Sequence, residues 1–328
     1  MAGRKHRVAG GRDSLDVVHS DKARYVRQVF DTIADRYDRM NVLMTAGLIY
    51  YWHWVLARST GLRPGQQALD VACGTGELSL IMARQVAPVR LAAPLPRRPG
   101  AAPTAVTVSS PPLQGRGQRI EGGTPATGSA TVATAAAVPP ASTATLSQGR
   151  VIGIDFSPDM LAVAREKVAR TPYRSVIDLR YGDALRLPFA DCTFDCVATG
   201  FALRNVTDIR QALAEMARVT RPGGRVLCLE LSHPTPWLAG AYLLYFRHVV
   251  PLLGRWAARR FERQFGREHP LPPYAWLPAS LAEIPSQEEL AKIMQEVGLS
   301  PVRYRNLTGG VVALHIGFKP EPGATGSY

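Results

Sequence analysis

One stretch, residues 67–80 with the sequence QALDVACGTGELSL, constrains this chain more than any other. An apolar run is followed by Gly74, Thr75 and Gly76 and then by a helix-forming segment, which predicts a buried strand over 68–72, a tight turn and the start of a helix. In that arrangement the backbone N–H groups at the helix N-terminus face a ligand. The stretch therefore predicts a cofactor-binding turn in an α/β sheet.

The turn favours a nucleoside cofactor other than a nicotinamide dinucleotide. The dinucleotide fingerprint G-x-G-x-x-G has its third glycine where this chain has Ser79. Asp70, near the end of the strand, puts a carboxylate beside the turn, which suits an ammonium or sulfonium better than a pyrophosphate. S-adenosylmethionine carries both cations, and its carboxylate would meet the positive end of the helix dipole. We therefore predict S-adenosylmethionine as the cofactor.

A ribose-binding acidic residue is expected at the end of the second strand, about 20 residues after the turn. The candidate is Asp155 in VIGIDFSPDML, which lies 79 positions after Gly76. Residues 88–149 contain ten prolines, thirteen alanines and no aromatic residue, so they cannot bury enough apolar surface to offset chain entropy. Removing these 62 residues leaves a spacing of 17. We therefore predict a disordered insertion between the first helix and the second strand.

The other 266 of the 328 residues suffice for a single catalytic domain. We assign it to residues 21–320, with a flexible basic arm at 1–20 and a flexible tail at 321–328. The arm lacks the apolar core of a signal peptide, and no run is long enough to span a membrane. The four cysteines lack C-x-x-C spacing and nearby paired histidines, which predicts a cytoplasmic protein without disulfides or a bound metal.

Strand and helix patterns alternate after residue 150. This order predicts an α/β fold with a doubly wound, mostly parallel sheet. Upstream, residues 21–39 predict one amphipathic helix, and a turn then leads to an aromatic-rich helix from about 48 to 58, so a helical cap precedes the sheet. The later strands are expected at 151–155, 176–181, 194–199 and 225–231, and the later helices at 157–170 and 207–220.

The loops that follow the strands of such a sheet meet at one edge, where open α/β sheets bind ligands. Asp183 can accept a hydrogen bond from an adenine amino group, and Ala184 allows the backbone to approach. Phe156 can pack on the adenine face, and Gly200 follows the fourth strand of the pattern. The alternatives are that Asp183 caps a turn and that Phe156 belongs to the core.

Several motifs resemble those of one enzyme family, the C-methyltransferases of menaquinone and ubiquinone biosynthesis. The motifs are YDRMN, LDVACGTGEL, GIDFSPDML, GDALRLPFADCTFD, FALRNVTD, RVTRPGGRVLCLELSHP and NLTGGVVALHIG. The resemblance implies a class I S-adenosylmethionine-dependent methyltransferase fold and a polyprenyl quinol as acceptor. It also implies donor contacts by Thr75, Asp155, Asp183 and Ala184, with the backbone near Gly200 close by. The chain departs from the family most at 272–280, PPYAWLPAS, a region expected to line the quinol site.

Methylation of a ring carbon needs an electron-rich aromatic acceptor, so we expect a reduced quinol. Arg204 in FALRNVTD is a fixed cation that can stabilise a quinolate oxygen or position a water that acts as base. Tyr37 and Asn205 are its expected hydrogen-bonding partners in catalysis. The alternative for Arg204 is a structural salt bridge, with Asp208 as the candidate partner.

Residues 237–263 form an apolar and basic segment that Pro251 divides into two pieces. Its pattern suits contact with an anionic bilayer surface, and the alternative is a lid packed on its own domain. The formal charge of +13 also fits a nucleic-acid methyltransferase. We predict no nucleic-acid partner, because no separate nucleic-acid module is visible. The sequence leaves open the choice between a naphthoquinol, which we favour, and a benzoquinol, and whether the protein forms a homodimer.

Overall fold

A computed structural model describes residues 26–87, 149–249 and 284–323, together with residues 22, 24 and 252. Several features predicted from the sequence lie outside these residues in whole or in part. They are the arm at 1–20, the start of the helix at 21–39, nearly all of the insertion at 88–149, the later part of the segment at 237–263, the altered segment at 272–280 and the end of the tail at 321–328.

A seven-stranded sheet forms the centre of the fold, in the order β3-β2-β1-β4-β5-β7-β6. Strands β1 to β5 pair in parallel, and β7 runs antiparallel to both β5 and β6. The predicted doubly wound, mostly parallel sheet is confirmed. The strands are β1 (Gln67–Val71), β2 (Arg150–Asp155), β3 (Ile177–Tyr181), β4 (Phe194–Gly200), β5 (Thr220–Leu231), β6 (Val302–Leu307) and β7 (Val312–Phe318).

The helices cover both faces of the sheet and leave its carboxyl edge for the site. Apolar residues of α3 and α4 pack on one face, and those of α6 and α8 pack on the other. The helices are α1 (26–33), α2 (Tyr37–Met44), α3 (Leu48–Ser59), α4 (Glu77–Val86), α5 (Pro158–Ala169), α6 (Ile209–Val219), α7 (Pro236–Leu244) and α8 (Gln287–Glu296). The order of the strands in the sheet reverses between β1 and β4: β2 and β3 extend the sheet on one side and β5 on the other. Doubly wound folds bind ligands in the crevice at such a point.

The prediction of one helix over 21–39 is wrong in its boundaries. A short 3-10 turn at Ala34–Arg36 separates α1 from α2, and α2 continues to Met44. The chain reverses at 45–47, where Ala46 and Gly47 have φ values of 48° and 81°. Glycine adopts such a left-handed conformation without steric cost, so the turn falls at Gly47 rather than directly after residue 39.

The two chain ends that flank residues 88–148 lie side by side. The carbonyl oxygen of Val86 accepts a hydrogen bond from Gly65 N at 3.0 Å, and a Cβ on Gly149 would collide with that same oxygen. Arg150 pairs with Gln67 at the start of β1. The described residues on either side of the segment therefore lie at the amino edge of the sheet, opposite the predicted cofactor turn.

Candidate active site

The predicted glycine turn connects β1 to α4 through a strained backbone. Ala72, directly after β1, has a φ of 56°, and Gly74 and Gly76 have φ values of 52° and 82°. A Cβ at Gly74 would meet no atom within 4 Å, whereas a Cβ at Gly76 would lie 3.3 Å from the Cβ of Ala164 on α5. Open space at the first glycine and close helix packing at the second are what a backbone cradle for a ligand requires.

Asp155, the last residue of β2, is buried and holds this turn in place. Its Oδ2 accepts a hydrogen bond from Gly74 N at 2.7 Å, and its Oδ1 accepts from Ser157 N at 2.9 Å. Burial raises the pKa of Asp155, and the hydrogen bonds from the backbone of Ser157, Gly74 and Phe156 oppose that rise. The remaining lone pairs of this carboxylate are available to hydroxyl donors of a ligand.

A cavity of about 420 Å³ lies at the carboxyl edge of the sheet, a size in the range of small-molecule and cofactor sites. It brings together most of the predicted cofactor residues. Asp183 is exposed, and its Oδ1 accepts a hydrogen bond from Leu185 N at 2.9 Å. Asp183 therefore caps a turn, as the alternative stated, and also lines the cavity. The predicted residues in the lining are Tyr37, Gly74, Asp155, Phe156, Asp183, Ala184, Gly200 and Asn205.

A smaller polar cavity of about 100 Å³ adjoins the same turn and includes Thr75 and Asp70. The Thr75 hydroxyl donates to Asp38 Oδ1 at 2.5 Å. The Lys167 ammonium donates to Asp38 Oδ2 at 2.5 Å and to Glu77 Oε1 at 2.6 Å. These contacts attach α2 to the turn and to α5, so the helical cap and the cofactor turn form one hydrogen-bonded unit.

Burial shifts the pKa of two residues that line this polar cavity, Asp70 and His53. Asp70 accepts a hydrogen bond from Ser79 Oγ at 2.6 Å, and burial raises the pKa of Asp70 to about 7. His53 on α3 also lines the cavity, and burial lowers the pKa of its imidazole, against the charges of Glu77 and Asp38. The sequence predicted only an aromatic-rich helix here and did not single out His53, because a histidine among apolar and aromatic residues carries no local signal of its own. Ile49, one turn earlier, is buried.

A third cavity, of about 350 Å³, is predominantly apolar and lies among α2, α3, α7 and the end of β5. Tyr245 OH donates to the carbonyl oxygen of Met44 at 2.6 Å, which joins the segment after α7 to the end of α2. The apolar lining consists of Met44, Ala46, Leu48, Ile49, Trp52, Phe201, Leu231, Leu238, Tyr242, Tyr245 and Val311. Arg204 is the only charged residue among the described residues that line this cavity.

Arg204 is 8% exposed and its guanidinium is held in place. Its Nη1 donates to Glu230 Oε1 at 2.8 Å and to the carbonyl oxygen of Phe201 at 2.6 Å. Its Nε is buried and has no hydrogen-bond partner among the described residues. The alternative of a structural salt bridge is therefore confirmed, but the candidate partner was wrong: Arg204 pairs with Glu230 at 2.8 Å, and Asp208 caps α6 by accepting from Gln211 N at 2.9 Å.

Tyr37 and Phe201 line all three cavities. Burial raises the pKa of Tyr37, and the charge of Arg204 opposes the rise most strongly, so the phenol keeps its proton at neutral pH. Phe201 has a φ of 58°, a conformation that is costly for a bulky residue and recurs at functional sites. The three predicted catalytic residues thus meet around Phe201, with Asn205 in the cavity of 420 Å³ and Arg204 in the apolar one.

Comparison with known proteins identifies the family. Residues 17–92 and 122–319 match the sequence model of a family that is described as "ubiE/COQ5 methyltransferase family". The chain belongs to this family. The gap in the match, 93–121, falls inside the predicted insertion.

Curated relatives in the family cover nearly the whole chain. Demethylmenaquinone methyltransferase of Desulfitobacterium hafniense is 36% identical over 318 residues, which are 95% of this chain and 98% of the relative. The protein of the same name from Symbiobacterium thermophilum is 35% identical over 304 residues, covering 92% and 96%. That from Halalkalibacterium halodurans is 33% identical over 299 residues, covering 91% and 94%.

A solved structure of an S-adenosylmethionine-dependent methyltransferase from Thermotoga maritima superposes with a TM-score of 0.50 at 14% identity. It covers 90% of this chain and 99% of its own chain. Together with the family match, this confirms the predicted class I methyltransferase fold and S-adenosylmethionine as the methyl donor.

The described residues fit that donor. Asp155 offers buried acceptors beside the turn, and Asp70 offers a carboxylate to a cation.

Proposed function

We propose that the protein transfers a methyl group from S-adenosylmethionine to a ring carbon of a demethylmenaquinol, forming menaquinol. The names of the curated relatives support the naphthoquinol over the benzoquinol. One structural observation carries the proposal. A mainly apolar cavity that contains a buried arginine adjoins the donor cavity across Tyr37 and Phe201.

S-adenosylmethionine supplies a methyl group bound to a positively charged sulfur. We assign the donor's ribose to Asp155 and its adenine to Asp183, Ala184 and Phe156. We assign its amino acid portion to the smaller polar cavity with Thr75 and Asp70. In this arrangement Gly74 and Gly200 lie beside the space between the two portions, since both line the cavity of about 420 Å³ and the smaller polar cavity.

We assign the quinol ring to the apolar cavity, where Trp52 and Phe201 offer aromatic faces. The Arg204 guanidinium would donate to a ring oxygen and stabilise its ionised form, which makes the ring carbon more nucleophilic. As that carbon forms its bond to the methyl group, the sulfur–methyl bond would break and the sulfur would keep the electron pair. The proton on the ring carbon would then pass to a water held near Arg204 and Asn205. Orientation of the ring by Tyr37 and Phe201 can contribute about 7–11 kcal/mol to lowering the barrier.

Incubation of the protein with S-adenosylmethionine labelled in its methyl group tests the proposed function. The acceptors are reduced demethylmenaquinone, the corresponding reduced benzoquinone and, as a control for the rival class, transfer RNA. We expect label in the naphthoquinol lipid at a rate at least tenfold above the other two. Label in the RNA alone, or in none of the three, would contradict the proposal.

We further propose that the protein binds the cytoplasmic face of a membrane, where its lipid acceptor resides. Trp237 and Leu244 on α7 are 78% and 63% exposed, and Leu238 and Tyr242 on the same helix line the apolar cavity. The described part of the chain contains no helix with the length and apolarity needed to cross a bilayer. Residues 250–263 of the proposed membrane segment lie outside the described residues, apart from Leu252.

Sedimentation with anionic liposomes at low salt tests this contact. We expect binding that weakens in Trp237→Ser and persists in Tyr50→Ser, a matched change at an exposed aromatic residue on α3. Absence of binding by the unaltered protein would favour the lid interpretation.

A further inference from the structure

We propose that Glu230 is a positioning residue for this methylation, because it fixes the guanidinium of Arg204 and sets the charge beside the acceptor. The inference rests on the proposed function. Glu230 lies at the end of β5 and lines none of the three cavities, so it acts through Arg204 and not by contact with a substrate.

Glu230 is 2% exposed and its carboxylate makes three hydrogen bonds. Oε1 accepts from Arg204 Nη1 at 2.8 Å and from Leu231 N at 2.9 Å, and Oε2 accepts from Leu203 N at 2.9 Å. Leu203 and Arg204 belong to the short 3-10 turn after β4. One buried carboxylate therefore binds both the backbone and the side chain of the loop that carries the proposed catalytic groups.

These contacts fix Nη1 and so determine which side of the guanidinium is left for a ligand. Glu230 and the Phe201 carbonyl oxygen both take hydrogen bonds from Nη1, whereas Nε is buried without a hydrogen-bond partner among the described residues. A buried donor without a partner is costly and calls for an explanation in a native fold. Because Arg204 lines the apolar cavity, a ring oxygen of the acceptor in that cavity can accept a hydrogen bond from the side of the guanidinium that Glu230 and Phe201 do not occupy.

Glu230 also offsets the charge of Arg204. Both groups are almost fully buried, where charges are weakly screened. Tyr37 responds to both, since Arg204 lowers and Glu230 raises the pKa of its phenol. The pKa of a quinol hydroxyl next to Arg204 would likewise be lowered by Arg204 and raised by Glu230. Removal of the Glu230 charge would then make that hydroxyl easier to ionise, while loss of the bridging geometry would misplace the guanidinium.

Two substitutions separate charge from geometry. Glu230→Gln removes the charge and nearly keeps the shape, and Glu230→Asp keeps the charge but shortens the side chain. The measurements are kcat and KM for reduced demethylmenaquinone between pH 6 and 9, the affinity for S-adenosylmethionine by calorimetry, and Tm. Asp208→Asn is the control, since Asp208 is an exposed acidic residue that caps α6 just beyond the same loop.

For Glu230→Gln we expect the acidic limb of the kcat profile to move to lower pH by about one unit. For Glu230→Asp we expect a loss in kcat of at least tenfold with an unmoved limb. Donor affinity should stay within threefold in both variants, and Asp208→Asn should leave the limb unmoved. If Glu230→Gln does not fold, Glu230→Asp decides alone.

An unmoved limb in a folded Glu230→Gln, or an unchanged kcat in Glu230→Asp, would overturn the inference. Failure of the unaltered protein to methylate any quinol would instead reject the proposed function itself.

Discussion

The protonation of Asp70 provides the sharpest test of the donor site. Asp70 is 1% exposed on β1 and accepts a hydrogen bond from Ser79 Oγ at 2.6 Å. Burial raises the pKa of Asp70 to about 7, the nearby charge of Asp155 adds to the rise, and the hydrogen bonds with Ser79 oppose it. If the ionised carboxylate attracts the cationic donor, donor affinity must depend on pH in the neutral range.

The expected magnitude follows from the ionised fraction. With a pKa of about 7, the carboxylate is about 9% ionised at pH 6 and about 91% ionised at pH 8. The dissociation constant for S-adenosylmethionine should therefore fall about tenfold between these pH values. Binding at pH 7 should release about half a proton, because the bound cation favours the ionised form.

The same carboxylate should affect folding stability in a defined direction. The pKa of Asp70 is higher in the folded protein, at about 7, than its ordinary value of 3.8, so the folded state binds more protons between these values. The stabilisation of the folded state by the protonated Asp70 carboxyl is complete below about pH 4 and is lost as the pH rises to about 7. At about 1.4 kcal/mol per unit, the loss is at most about 4 kcal/mol.

Calorimetry in two buffers with different ionisation enthalpies measures both the dissociation constant and the proton release. In Asp70→Asn we expect weaker donor binding that no longer depends on pH between 6 and 8, and higher stability than the unaltered protein at pH 8. Asp178→Asn, at a partly exposed aspartate on β3, is the control and should keep the pH dependence. A donor affinity that is independent of pH in the unaltered protein would refute the reasoning.

Four further predictions concern the rest of the chain. Arg204→Ala should keep donor affinity within threefold and lose at least a hundredfold in kcat, measured by label transfer; unchanged turnover would remove Arg204 from the mechanism. Asp155→Ala should weaken donor binding at least tenfold by calorimetry, because it removes the acceptors of Gly74 N and Ser157 N as well as the proposed ribose contact. Replacement of residues 88–148 by a short Gly-Ser linker should leave kcat within twofold and Tm within about 3 °C, because the flanking ends already lie side by side; a loss of folding would contradict this. Dialysis against a chelator should leave kcat unchanged, since in the proposed mechanism Arg204 supplies the positive charge at the acceptor; loss of activity restored by a divalent metal would contradict the prediction of a metal-free site.

Much of the fold could be predicted because it depends on local patterns. The strand, turn and helix over 67–80 follow from an apolar run and two glycines, and the structure places them within one residue of the prediction. Asp155 could be assigned to the turn because an insertion can be recognised by composition alone. The structure brings its carboxylate to Gly74 N once β2 pairs with β1.

The sequence alone determined the class of fold, the family and the residues at the carboxyl ends of the strands, because periodicity, glycine spacing and motif order are properties of neighbouring residues. Only the tertiary structure decided which charges meet. Arg204 pairs with Glu230 and not with Asp208, although Asp208 is nearer in the sequence. Asp38 accepts hydrogen bonds from Thr75 and Lys167. Such partners depend on strand register and helix packing across more than 20 positions, which no local pattern encodes.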